Sequence, residues 1–221
     1  MAAPPAPHWT LTDHVARAAR HVRDASIDLD RPTDGIAVAA RAADADHLLG
    51  IDLRSAARLA ERWARGGDVT AVYETTDARR LRATAMWRLD SAAAALPRGV
   101  AIWELVISAQ TSLLESDSSI AVVSRVAATD LVPFGDGGVL ARRGGETSVL
   151  ILVHPDDLKK VSSEHRAGRG SISCWLFSAA VEKGVLLRSR VLAAIGPAEG
   201  DTTWAAAVAD TFAASPPVLT T

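Results

Sequence analysis

From Arg80 to Leu89 apolar and polar side chains alternate without a break. Leu81, Ala83, Ala85, Trp87 and Leu89 fall on one side, and Arg80, Arg82, Thr84, Met86 and Arg88 on the other. A period of two belongs to an extended strand with one buried face, because successive Cβ atoms point to opposite faces. Similar segments recur at hairpin spacing: Ala25–Asp30, Ile36–Ala42, Asp68–Tyr73, Ile102–Thr111, Ser119–Ala128, Val139–Arg142, Ser148–Val153, Ser171–Val181 and Val185–Ile195. So many strands with so few helices predict an all-β fold, an antiparallel β-sandwich. No βαβ alternation argues for a doubly wound sheet, and no repeat of fixed period argues for a propeller or solenoid.

Turn residues set the expected pairings. Arg31-Pro32-Thr33-Asp34-Gly35 predicts a hairpin joining Ala25–Asp30 to Ile36–Ala42, and Pro97-Arg98-Gly99 is a further turn. Ile102–Thr111 and Ser119–Ala128 are expected to pair around Glu115–Ser118. The run from Ser148 to Ile195 reads as a three-strand meander whose last two strands join at Glu182-Lys183-Gly184. Its first connection, His154–Gly170, reads as a loop holding most of the run's polar residues.

Two segments read as helices. Asp201 is a candidate N-cap for a C-terminal helix in which Trp204, Val208, Thr211 and Phe212 share a face, ended by Ser215-Pro216-Pro217. Asp52–Arg65 is a candidate further helix: Leu53, Ala56, Ala60 and Trp63 share a face, and Gly66-Gly67 would stop it. Read with period two, this segment puts Leu59, Glu61 and Trp63 on one side, a poor buried face. Thr12–Val22 fits either a short helix or a sheet edge. The expected organisation is a disordered tail over 1–8, one sandwich domain over 9–215 and a tail over 216–221.

Composition limits the function classes. Hydrophobic residues make up 48% and charged residues 23%, enough apolar material for a packed core. The formal net charge is −2, so no general basic footprint for nucleic acid is present. No apolar run approaches the roughly 20 residues that span a bilayer, and the start shows no basic region followed by an apolar one. The expectation is a cytoplasmic protein with neither nucleic acid nor membrane as partner. The one cysteine, Cys174, rules out an intramolecular disulfide and reads as a small core residue. Five tryptophans, Trp63, Trp87, Trp103, Trp175 and Trp204, fall in predicted elements and are expected to anchor the core.

Two constellations carry candidate chemistry. Arg82 and Arg88 share one face of their strand with Arg80, Arg188 and Arg190 share a face of theirs, and Glu104 lies opposite Trp103 on a third. Arginines and a carboxylate on one sheet face could bind a carbohydrate or an anionic small molecule, because the guanidinium gives planar bidentate hydrogen bonds. The competing reading is the ordinary polar outer face of a sandwich, held by cross-strand ion pairs. The second constellation is His154, Asp156, Glu164 and His165, a donor set suited to zinc or another divalent ion, although none of the established zinc spacings is present. Here the competing reading is a helical turn opened by Pro155-Asp156-Asp157 on a solvated surface. Asp28 and Asp30 fall on one strand face, but sequence neighbours cannot easily flank a glycosidic bond. No nucleophile elbow, Walker loop or dinucleotide fingerprint occurs, so no cofactor is implied.

Arg65–Tyr73 (RGGDVTAVY), Arg82–Arg88 (RATAMWR) and Val181–Ala193 (VEKGVLLRSRVLA) resemble an uncharacterised group of bacterial proteins. The resemblance implies a large two-sheet sandwich of the galactose-mutarotase-like kind. Sugar epimerases of that fold use a histidine and a glutamate; no motif here matches either, and no residue role is carried over. The leading expectation is therefore a binding module using Arg82, Arg88, Glu104, Arg188 and Arg190. The alternatives are a metal-assisted enzyme built on residues 154–166, and a homo-oligomeric structural protein.

Overall fold

In the computed structural model, which describes residues 6–215 except 20, 22, 39–44, 90–98, 159 and 178–179, two eight-stranded sheets pack face to face. The first sheet runs in the order β1 (His8–Thr12), β2 (Val15–Ala19), β3 (Ala25–Asp28), β4 (Ile36–Val38), β5 (Asp46–Asp52), β11 (Ile120–Ala127), β16 (Arg169–Leu176), β15 (Lys160–Arg166). The second runs β12 (Asp130–Phe134), β13 (Gly138–Arg142), β14 (Thr147–Val153), β18 (Leu187–Pro197), β9 (Ala101–Thr111), β8 (Leu81–Leu89), β7 (Asp68–Thr75), β6 (Ala57–Arg65). A two-stranded ladder, β10 (Glu115–Asp117) with β17 (Ala180–Glu182), completes the strands, and α1 (Asp201–Ala214) follows. Neighbouring strands pair antiparallel, as the hairpin spacing predicts. Residues 1–5 of the predicted 1–8 tail, the tail at 216–221, most of the turn at Pro97-Arg98-Gly99 and the end of the Ile36–Ala42 segment lie outside the described residues, while His8, expected in the tail, begins β1.

The core lies between the sheets. Trp87, Trp103, Tyr73, Ile27, Ile51 and Leu105 are fully buried there, and each large apolar side chain contributes about 1.5–3 kcal/mol on burial. Two of their polar atoms bond main-chain carbonyls: Trp87 Nε1 donates to Leu49 O at 3.0 Å and Tyr73 Oη to Leu29 O at 2.9 Å. Cys174 sits in this core, its thiol pushed up to about 12 by burial, as a packing residue should be.

The Arg80–Leu89 alternation folds as read, with its odd residues inward and buried. So does the hairpin around Arg31–Gly35, with Ile27 opposite Ile36. Four other readings are corrected. The run from Ser148 to Ile195 is not a meander: β14 and β18 pair with each other in the second sheet, while β16 belongs to the first. The predicted strand Ser171–Val181 is broken near Phe177, whose φ of 55° turns the chain out of the first sheet, and only β17 resumes beyond it. Gly184, with φ of 85°, does occupy a turn closed by Val185 N–H to Glu182 O at 3.0 Å, but it joins strands of different sheets. Likewise β9 and β11 do not pair; their connection crosses the sandwich.

The fourth correction concerns Asp52–Arg65, which is not a helix. Its second half is β6, the edge strand of the second sheet. Register slips between Leu59 and Glu61, a β-bulge that reverses the inward–outward parity. Leu59 and Ala64 therefore both face the core although five residues apart, and the period-two pattern is lost from the sequence.

On its outer face the second sheet is half covered by α1. Trp204, Val208 and Phe212 pack on Ile102, Leu140, Leu150 and Leu192 in a second apolar cluster. This double coverage explains why β14 and the Val191–Ile195 part of β18 read as continuous apolar runs. Gly196 lets the helix approach: a Cβ there would lie 2.6 Å from Trp204 Cε2. Gly196→Ala should therefore destabilise the fold by about 1–3 kcal/mol, read as a lower thermal midpoint with altered near-ultraviolet circular dichroism. Asp201 is not the N-cap; Gly200 is, and the Asp201 carboxylate instead takes Arg142 Nε at 2.9 Å and Ser148 Oγ at 3.2 Å. Those bonds, Arg142 foremost, hold its pKa below the usual carboxylate value. Its contribution to stability is thus present at neutral pH and lost as pH falls through the folded-state value. Trp204 fluorescence followed from neutral to strongly acidic pH should report loosening of α1, and Asp201→Asn should remove that dependence. Among the described residues, no helix is long and apolar enough to cross a membrane.

Candidate functional site

Strand register assembles the uncovered half of this outer face row by row, since directly paired residues point the same way. One row runs Trp63, Thr70, Met86, Val106, Arg190 across β6, β7, β8, β9 and β18. On one side lies Glu61, Val72, Thr84, Ser108, Arg188, and on the other Arg65, Asp68, Arg88, Glu104, Leu192. Beyond the first flank come Arg58, Glu74, Arg82 and Gln110. The structure thus brings Arg82, Arg88, Glu104, Arg188 and Arg190 onto one face. It adds Trp63, which the helical reading placed in the core and which is instead 45% exposed. Of the other tryptophans expected inside, Trp87, Trp103 and Trp204 are buried and Trp175 is half-buried.

Small and medium side chains floor this face: Thr70, Val72, Val106 and Ser108 are buried although they point away from the sandwich core. Long arginines surround them, and arginine stems readily cover apolar surface while keeping the charge in water. Most of the arginines are paired with carboxylates. Arg82 bonds Glu74 at 2.6 Å and Glu61 at 2.5 Å, and Arg58 also pairs with Glu74. Glu61 chiefly, then Glu74, hold Arg82 still more firmly protonated. Arg88 bonds Asp68 at 3.0 Å and lies 3.6 Å from Glu104; burial opposes its charge, but these carboxylates outweigh that and raise its pKa. Arg188 Nε donates to Ser108 Oγ at 3.2 Å.

Arg190 is committed to the fold. Its Nε donates to Glu104 Oε1 at 2.6 Å, its NH2 to Ser215 Oγ at 2.6 Å, and its guanidinium lies 4.9 Å from the Phe212 ring centroid. It is 5% exposed and ties the end of α1 to β9 and β18. Its position on the face is structural support beneath the site.

At the Arg58–Gln110 row the face opens into a cleft of about 620 Å³, within the usual size of small-molecule sites. Glu74, Arg82 and Gln110 belong to both, and Arg80, Ser112, Lys183 and Gly184 supply the far wall.

The segment His154–Gly170 is not a loop. A short 3₁₀ turn, Pro155–Asp157, begins it, as the sequence allows, and β15 forms most of the rest, paired to β16. His154 is buried, edge-on to Phe212 at 5.2 Å, with Asp156 at 3.8 Å. Glu164 and His165 lie on β15 in the other sheet, where His165 Nε2 meets Ala128 O at 2.8 Å. The four predicted metal ligands are not brought together. Among the described residues, the His, Asp, Glu and Cys ligand atoms that do converge are those of His14, Asp28 and Asp30, within 4.8 Å of one another at the surface. Asp28 Oδ1 there accepts the Asp30 N–H at 3.1 Å, a local turn contact.

No family model and no curated protein matches this chain. Among solved structures it is similar to "Putative kojibiose phosphorylase from human microbiome", with a TM-score of 0.60 and 6% identity. The likeness covers 97% of this chain and 37% of that one. At that identity it is a likeness of fold.

Proposed function

We propose that the outer face of β6–β9 binds a carbohydrate. The observation that carries this reading is Trp63, exposed at the edge of a polar face most of whose arginines are already paired with carboxylates. A planar aromatic surface stacks on the apolar face of a sugar ring, and fixed arginine–carboxylate pairs offer donors and acceptors to its hydroxyls. Because most of its arginines are already paired with carboxylates, the face favours a neutral polyol over a free anion. The fold neighbour is named for a disaccharide phosphorylase, and the paired eight-stranded sheets agree with a galactose-mutarotase-like architecture; both support a carbohydrate ligand. Among the described residues of this face there are three glutamates, Glu61, Glu74 and Glu104, and no histidine, which favours binding over epimerisation. The test is calorimetric titration of the protein with kojibiose, maltose and glucose. Saturable heat with at least one of them is expected; no heat at millimolar sugar would refute the reading.

A further inference from the structure

The cleft at the end of the face differs from the face in its charge. Glu74, the carboxylate in its lining, is already shared by Arg58 and Arg82. Arg80 and Lys183 line the same cleft, and among the described residues no carboxylate lies within ion-pair distance of either. Both are exposed, and Gln110 and Ser112, exposed at the same wall, add an amide and a hydroxyl. Glu115 and Glu182 face each other across the neighbouring β10–β17 ladder and are not among the lining residues. Arg80 is held in place by an unusual backbone. Its φ is 45°, a region bulky residues rarely occupy. Beneath it Thr111 Oγ1 donates to Arg79 O at 3.2 Å and Ser116 Oγ to the same carbonyl at 2.8 Å, both hydroxyls on buried residues. Such strain persists where the surroundings over-determine it, and it clusters at binding sites.

We infer that this cleft receives the acidic group of a charged sugar, a carboxylate or a phosphate ester, while the sugar ring lies over the adjoining Arg58–Gln110 row of the face. The inference rests on the carbohydrate reading of that face. An arginine fork and a lysine point charge with hydroxyl and amide donors form the donor set that such oxyanions take. The shared Glu74 keeps Arg82 oriented at the junction between ring and acid.

The test compares methyl α-glucoside, glucuronate, glucose 6-phosphate and inorganic phosphate on the wild-type protein and the Arg80→Gln/Lys183→Gln double variant. At low salt one of the two acidic sugars should bind roughly tenfold tighter than the neutral glucoside. Whichever does identifies the acid as carboxylate or phosphate. The advantage should shrink in about 0.5 M salt, where exposed charges are screened. The double variant should lose the advantage and keep neutral binding, with an unchanged circular dichroism spectrum. Equal binding of neutral and acidic sugars, or an advantage that survives in the double variant, overturns the inference and leaves the face reading standing. Inorganic phosphate binding as tightly as glucose 6-phosphate also overturns it, as a bare anion site. If no sugar binds at all, both readings fall.

Discussion

Replacing Glu104 by alanine should destabilise the protein by about 3–5 kcal/mol, because it removes the carboxylate that neutralises a buried guanidinium. Glu104 Oε1 accepts from Arg190 Nε at 2.6 Å, and both residues are less than a tenth exposed. Arg190 in turn reaches Ser215 and lies against Phe212, so its loss of alignment propagates to the end of α1. Glu104→Gln keeps an acceptor at the same position and should cost less. Replacing both Glu104 and Arg190 by leucine should recover much of the loss, since an apolar pair of similar volume dispenses with the desolvation penalty. Urea unfolding followed by tryptophan fluorescence measures all three. A change below about 1 kcal/mol for Glu104→Ala would place the pair with ordinary surface salt bridges and contradict its role as a lock on α1.

Trp63→Ala should have the opposite profile, with little effect on folding and a large one on binding. Trp63 lies on an edge strand and is 45% exposed, so its truncation should change stability by no more than about 0.5 kcal/mol. As the aromatic anchor of the face it should carry at least about 1.4 kcal/mol of the sugar affinity, a tenfold loss in Kd. Trp63→Phe retains a stacking surface and should lose less. Binding of neutral sugar unaltered by Trp63→Ala would show that the ligand lies elsewhere.

The parts of this architecture legible in the sequence are those where one face of a strand is wet. Arg80–Leu89 shows its alternation because β8 buries one side and opens the other. The Arg82, Arg88 and Glu104 grouping was legible for the same reason, since parity along a strand fixes the face. What the sequence hid has specific causes. In β6 the bulge near Ala60 reverses parity, so Trp63 aligned with Leu53 and Ala56 on a false helical face and its exposure was masked. In β14 and the Val191–Ile195 part of β18 both faces are covered, so no alternation distinguishes hairpin neighbours from strands that change sheet. The turn at Gly184 was recognisable as a turn, but turn chemistry says nothing about which sheet receives the next strand. Pairing of β14 with β18 across more than thirty intervening residues leaves no local signal. The cleft was hidden for a similar reason, because Arg80 and Lys183 meet only through the fold.

The central claim is that the Trp63 face is the carbohydrate surface, and amide chemical-shift mapping during titration with a disaccharide tests it most directly. The Trp63 indole N–H signal should move together with amides of Thr70, Met86, Arg88 and Ser108, while those of β1–β5 stay fixed. Shifts confined to the first sheet or to α1, or none at saturating sugar, would contradict it.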